Sequence, residues 1–253
     1  MQELAKRARK RLLQMHFEAG VGHIGGNLSA LDAMLVLHHQ IMRPEDVFIL
    51  SKGHAAGALY TTLWSMGKLT DEDLKTFHKD GTHLAGHPVM GWSPDIPFAT
   101  GSLGHGLSDA AGMALGYKLQ GLDRHVFCLT SDGEWQEGSN WEALIFAVQN
   151  KLTNLTILID ENHLQGFGAT ADISSDMPLS GKLRGFGAWL SHVNGHDYET
   201  VREALQMRSL YQVRIILLDT TKGRGVSFME NKMEWHYLPL NAEQYQAALK
   251  ELS

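Results

Sequence analysis

The chain has 253 residues, 43% hydrophobic and 20% charged, enough for a soluble globular chain to bury a core without disulfide staples. Its net charge of −6 excludes the clustered basic surface of a nucleic-acid binder. No apolar run approaches the roughly 20 residues that span a bilayer, no signal peptide opens the chain, and the lone Cys128 excludes an internal disulfide, so a cytoplasmic protein is expected.

The elements follow in chain order. An amphipathic N-terminal helix carries the basic run 6–11, which reads as a solvated face. A helix over 28–40 has Ser29 as its N-cap and Asp32 three residues on. Val47–Leu50 reads as a strand ending at Ser51-Lys52-Gly53-His54, followed by a helix over 55–66. Thr70 to Asp73 spells a capping box before a short helix. A glycine-rich stretch, Thr100 to Ser108, opens a helix over 107–120. The apolar run 126–130, with Cys128 inside it, leads into Ser131-Asp132-Gly133, and a helix over 137–149 follows. The run 155–159 leads into Asp160-Glu161-Asn162. A shorter strand over 189–193, a helix over 199–208 and a strand over 213–218 come next, the last running into Thr221-Lys222-Gly223. A final helix is expected over 242–252.

Short, continuous, β-branched runs suit parallel strands covered on both faces. Their alternation with helices predicts an α/β fold, with a mainly parallel sheet and helices on both faces. Such sheets bind ligands at the C-terminal ends of their strands, where the glycine-rich and polar clusters fall. No linker, repeat or low-complexity segment divides the chain, so residues 1–253 read as one domain.

Asp132 and Asn162 lie one strand–helix–strand unit apart, which brings both side chains to one sheet edge. A carboxylate and an amide oxygen are hard donors that suit magnesium or calcium rather than zinc. A diphosphate can sit beside Asp132 only if a divalent cation bridges them. Gly133 permits close backbone approach, and a following helix offers its N-terminal amides. No pair of the 14 histidines has zinc-protease spacing.

Here the sequence resembles the thiamine diphosphate motif of the transketolase family, which begins Gly-Asp-Gly and closes near a paired Asn. Ser131 stands for the first glycine and Glu161-Asn162 for the doubled Asn. The resemblance implies the thiamine-diphosphate-binding fold, with thiamine diphosphate as cofactor. It implies magnesium, with calcium or manganese as alternatives, on Asp132, Asn162 and the main-chain carbonyl of Leu164. It places Gly133 at the cofactor, and Gly101 and Leu103 on the aminopyrimidine ring. His105 stands where the family often has glutamine. Glu137 and Glu142 would lie at the subunit interface, communicating with the partner's cofactor site, and Glu137 is also a candidate cofactor-binding residue.

Four histidine segments also match the family in order: Gly22-His23, Ser51-Lys52-Gly53-His54, Gly86-His87-Pro88 and Trp235-His236. The resemblance makes His54, His87 and His236 candidates for hydroxyl contacts and proton movement, and His23 for the acceptor side. His54 and His236 also face the cofactor. Imidazole suits these tasks because it donates, accepts and changes charge near neutrality. Gly25-Gly26 replaces a proline-containing family sequence, and Tyr237 stands where a small residue is usual. His38, His39, His78, His83, His125, His163, His192 and His196 read as surface or cap residues.

The resemblance covers nearly the whole chain but only the diphosphate-binding part of a full-length transketolase. It therefore implies a C-terminal partner subunit supplying the pyrimidine-binding domain, in a heterotetramer with two copies of each. The implied reaction moves a two-carbon ketol unit from a ketose, or its phosphate, to an aldose acceptor. Two alternatives stand beside it: a specialised subunit that acts on an unusual sugar or transfers an acyl group, and a non-catalytic cofactor-binding subunit. The last would predict damaged metal ligands, yet Asp132 and Asn162 are both in place.

Overall fold

Every apolar strand run forms a strand, and all five lie parallel in one sheet of order β1-β2-β3-β5-β4. The strands are β1 Val47–Leu50, β2 Val126–Ser131, β3 Leu155–Glu161, β4 Trp189–Asn194 and β5 Arg214–Asp219. The computed structural model describes residues 1–173 and 177–253. The helices are α1 Gln2–Ala19, α2 Ile24–Val36, α3 Ala56–Ser65, α4 Asp71–Leu74, α5 Gly106–Leu119, α6 Gly138–Gln149, α7 Thr170–Ile173, α8 Leu179–Arg184, α9 Tyr198–Gln206 and α10 Ala242–Glu251.

Alternation along the strands sends neighbouring residues to opposite faces, and two separate cores result. Phe127, Leu129, Leu158, Ile216 and Leu218 pack with α1, α2, α3 and α9. Val126, Cys128, Ile157, Ile159, Ile215 and Leu217 pack with α5, α6 and Leu183 of α8. Helices therefore cover both faces, as the buried runs require. Cys128 is fully buried, and desolvation raises its thiol well above its ordinary range. Among the described residues no helix is long and apolar enough to cross a membrane.

Several local readings are corrected. α2 begins at Ile24, with His23 as its N-cap residue in the left-handed region (φ 63°), so Ser29 lies inside the helix rather than capping it. Ser29 is fully buried and donates to Asp160 Oδ2 at 2.7 Å. The helix passes into a π-helical turn, Leu37–Ile41. The basic run is only partly a solvated face. Arg9 pairs with the buried Asp32, and Arg11 with Asp71 at 2.8 Å. Asp132 leads not into a helix but into a 3₁₀ turn, Gly133–Gln136, with α6 starting only at Gly138. The Thr70–Asp73 capping box forms as expected.

His38 and His125 read as surface or cap residues in the sequence; they are core residues, 8% and 3% exposed. Their apolar faces satisfy packing while their ring nitrogens find partners: Met34 O at 2.9 Å for His38, and Thr156 Oγ1 at 2.8 Å and the Arg208 guanidinium at 3.2 Å for His125. Burial pushes His38 down to about 4 and His125 to about 3, and His16 is pushed to about 4 in the same way.

In the unfolded chain these rings protonate through about pH 6.5, so below that the unfolded state binds more protons than the folded one. Their full contribution is present above pH 6.5 and is lost as pH falls toward 4. At pH 5 each ring destabilises the fold by about 2 kcal/mol. Urea midpoints at pH 7.5 and pH 5 measure this; equal midpoints would refute the buried, neutral assignment.

Candidate active site

The parallel register carries the expected spacing into three dimensions. Ser131 of β2 pairs with Asp160 of β3, so Asp132 and Asn162 leave adjacent strand ends on the same edge. Asp132 accepts from the amides of Gly133 at 2.8 Å and His163 at 2.9 Å, and from Thr170 Oγ1 at 2.9 Å. Burial raises its carboxyl above the usual range, the Thr170 bond opposes this, and the nearby Asp160 charge adds to it. Asn162 accepts from Leu164 N–H and donates to Asp160, both at 3.2 Å.

These residues line a cavity of about 170 Å³ with Gly26, His54, Leu103, Gly133, Lys222 and His236. The Leu164 carbonyl accepts from the Lys222 ammonium at 3.1 Å, so a cation already meets it. Among the described residues no cluster of three His, Cys, Asp or Glu could hold a metal. A buried carboxylate, an amide oxygen and a main-chain carbonyl are instead the hard donor set of magnesium or calcium. The set fits a divalent ion bridging to a diphosphate.

The four histidine segments, far apart in the chain, converge. The His23 ring centroid lies 5.0 Å from that of His236, 5.8 Å from His54 and 6.1 Å from His87. Burial lowers all four below the ordinary imidazole value. After burial, Lys52 depresses His54 most, and Lys222 depresses His236, which falls to about 3. His236 Nδ1 lies 3.0 Å from Lys222 Nζ and therefore accepts from the ammonium. At neutral pH the cluster is a set of uncharged donors and acceptors.

Gly101 packs on the His87 ring, where an added Cβ would come within 3.1 Å, and Leu103 lines the cavity. Glu137 and Glu142 are exposed at the start of α6 and do not line the cavity. Tyr237 stands beside His236, ring centroids 4.7 Å apart, and is 54% exposed. Its hydroxyl would lie 2.2 Å from a Cβ at Gly166, so only glycine lets the phenol settle there.

Four charged residues went unassigned in the sequence reading. Lys52 and Asp160, both 0% exposed, form an ion pair that also takes Ser29, Asn162 and Thr220. Lys222 is almost fully buried, and desolvation lowers it to about 8. Glu134 is fully buried and accepts from Ser51 Oγ, Gly104 N–H at 2.9 Å and Ser131 N–H at 3.2 Å. It thereby ties together the loops that carry His54, Leu103 and Asp132. Motif position marked Lys52 and Glu134, since each neighbours a candidate, but nothing local shows their distant partners.

Residues 2–253 match the family described as transketolase, thiamine diphosphate binding domain. The chain is 36% identical to a protein of Actinobacillus succinogenes named as one of the subunits of apulose-4-phosphate transketolase, over 100% of this chain and 95% of that protein. It is also 36% identical to the 6-deoxy-6-sulfo-D-fructose transketolase subunit SqwG of a Clostridium species, over 100% and 96%. The transketolase structure from Campylobacter jejuni superposes with a TM-score of 0.91 at 28% identity, covering 99% of this chain but 42% of that one.

Removing one member of a buried ion pair strands the other charge, at a cost of roughly 3–5 kcal/mol. Lys52→Met is expected to lower the stability of the fold by that amount, read from the urea midpoint. Thr220→Val, which removes one neutral donor to Asp160, is expected to lower it by about 1 kcal/mol. Equal losses in the two variants would contradict the dominance of the Lys52 charge.

Proposed function

The chain belongs to the transketolase family, in its thiamine diphosphate binding domain, and from that premise we propose that it is the diphosphate-holding subunit of a two-chain transketolase. The observation that carries the reading is the one cavity lined by Asp132, Asn162, Leu164, Lys222, His54 and His236, with the His23 ring 5.0 Å from that of His236. Relatives of nearly the same length are named as subunits of transketolases, which supports a partner chain supplying the pyrimidine-binding domain. The proposed assembly is a heterotetramer with two copies of each chain.

In this reading Asp132, Asn162 and Leu164 O would hold magnesium, with calcium or manganese as substitutes, which would neutralise the charge of the diphosphate. Gly133 leaves room for that group, and Lys222 adds a second positive charge at its edge. Gly101 and Leu103 would contact the aminopyrimidine, and Glu137 and Glu142 would lie at the interface with the partner. Thiamine diphosphate, when bound, supplies the nucleophilic carbon and the electron sink that two-carbon transfer requires.

The remaining work falls to this chain's own side chains. His54 and His87, uncharged at neutral pH, would move protons off and onto substrate hydroxyls, His236 would contact a hydroxyl as an Nε2–H donor because its Nδ1 accepts from Lys222, and His23 would serve the acceptor aldose. The Lys222 ammonium keeps the His236 Nδ1 lone pair occupied, leaving Nε2 to face the cavity. The ketol unit thus passes from a ketose, or its phosphate, to an aldose.

A specialised sugar is the second reading. The Actinobacillus and Clostridium relatives act, by their names, on apulose 4-phosphate and sulfofructose. Tyr237, a phenol at the mouth of the cavity, narrows the approach to His23 and His236 and offers a hydroxyl to an uncommon substituent.

The test is reconstitution with the chain that carries the pyrimidine domain, followed by donor screening with thiamine diphosphate and magnesium. Ketol transfer to an aldose is expected, and a preference for branched or substituted ketoses would favour the specialised sugar. Asp132→Ala is expected to weaken cofactor affinity by more than about tenfold in titration calorimetry. Undiminished binding would sink the metal site.

A further inference from the structure

His196 belongs to no part of the site described so far, yet its side chain is only 7% exposed and both ring nitrogens are engaged. It stands two residues beyond β4. Nδ1 lies 2.8 Å from Asp32 Oδ2, and the Thr221 backbone N–H donates to Nε2 at 2.8 Å. A peptide N–H can only donate, so Nε2 must carry a lone pair. The ring proton is therefore on Nδ1 and is given to Asp32. Asp32 is 1% exposed, lies within α2 and is also paired with Arg9 of α1. A guanidinium–carboxylate–imidazole–amide chain thus runs from the N-terminal helices to the loop after β5.

That loop carries the cation of the cofactor cavity. Thr220 Oγ1 donates to Asp160, Thr221 N–H to His196, and Lys222 Nζ to Leu164 O at 3.1 Å and to His236 Nδ1 at 3.0 Å. Gly223 N–H closes the segment on Gly25 O at 3.0 Å. The link to His196 ties the loop to a side chain well outside the cofactor cavity. It fixes the peptide immediately before Lys222, and so the direction in which the lysine stem leaves the backbone.

We propose that His196, oriented by Asp32, is a positioning residue that sets the Lys222 ammonium at the diphosphate edge of the cavity. It acts through the Thr221 peptide and touches neither cofactor nor substrate. The proposal rests on the cofactor reading above. Its chemical content is the acceptor at Nε2: any side chain that presents a neutral acceptor to the Thr221 N–H preserves the loop, and one that does not releases it.

The experiment uses the chain in complex with its pyrimidine-domain partner and titrates thiamine diphosphate in the presence of magnesium. Amide exchange at Thr221 is followed by NMR or mass spectrometry without cofactor. His196→Leu leaves the buried N–H without an acceptor and is expected to weaken cofactor affinity about tenfold and to speed exchange at Thr221. His196→Gln, whose amide oxygen can accept the same N–H, is expected to restore both. Asp32→Asn removes the charge that holds the ring proton on Nδ1. It should move both readouts the same way by a smaller factor, and it serves as the test if His196→Leu does not fold.

Unchanged affinity in His196→Leu overturns the proposal. So does a glutamine variant as weak as the leucine one, or an affinity loss that only tracks a fall in melting temperature across all three. If wild-type complex does not bind the cofactor, the functional reading fails by itself. Thr221 exchange would then still decide whether His196 holds the loop.

Discussion

The buried carboxylate of Asp160 is the constraint on which the site depends. It sits at the end of β3 with no solvent access, and a bare charge there would cost several kcal/mol even after relaxation. Every compensating donor comes from a different part of the chain. Ser29 arrives from α2, Lys52 from the loop after β1, Asn162 from the end of β3 itself and Thr220 from the loop after β5. The carboxylate can be satisfied only if those four segments meet at one point on the sheet edge. Folding the charge in therefore builds the cavity. Gly26, His54, Leu164 and Lys222, which lie close to these donors in the chain, are its walls.

Holding a polyanion and keeping histidines neutral are two results of the same field. Lys52 and Lys222 supply positive potential in a cavity whose own carboxylates are buried and partly spoken for. Desolvation does most to lower His54 and His236, and the two ammonium groups lower them further. A ring held neutral at pH 7 can accept a proton from a hydroxyl at once, whereas an imidazolium could only donate. The cations suited to a diphosphate thus also keep these rings uncharged, and His236, with Nδ1 taken by Lys222, meets a hydroxyl as an Nε2–H donor.

The sheet was legible because its strands are continuous apolar runs, and a parallel strand covered on both faces has no other pattern to show. Asp132 and Asn162 were legible because polar residues directly after such runs must lie at one edge. The histidine segments needed the family resemblance, which located them without showing that their rings would touch. What local patterning could not give was long-range pairing. Ser29 has the chemistry and spacing of an N-cap, and its true partner is 131 residues away. Lys52 meets Asp160 across 108 residues, and Glu134 meets Ser51 across 83. In the basic run, Arg9 and Arg11 resemble their solvated neighbours until Asp32 and Asp71 are folded against them. His196 has an ordinary loop setting, and only the distant Asp32 and Thr221 make it a relay.

The cavity is better built on its diphosphate side than at its mouth. Inside, the four buried charged groups have partners: Asp160, Glu134, Lys52 and Lys222 are each bound by at least two atoms. At the mouth Phe167 is 86% exposed, and Tyr237 and Leu238 are 54% and 50% exposed. Large apolar side chains crowded beside a polar cavity are poorly matched to water. The proposed partner would have cause to cover them, because the chemistry needs a dry site and the pyrimidine half of the cofactor needs a wall. The anion end of the site, by contrast, is hydrogen-bonded within this chain alone. The proposed division of the active site between two chains would then follow the division in the physics: charge is buried by one fold, and apolar surface is left for the other to close.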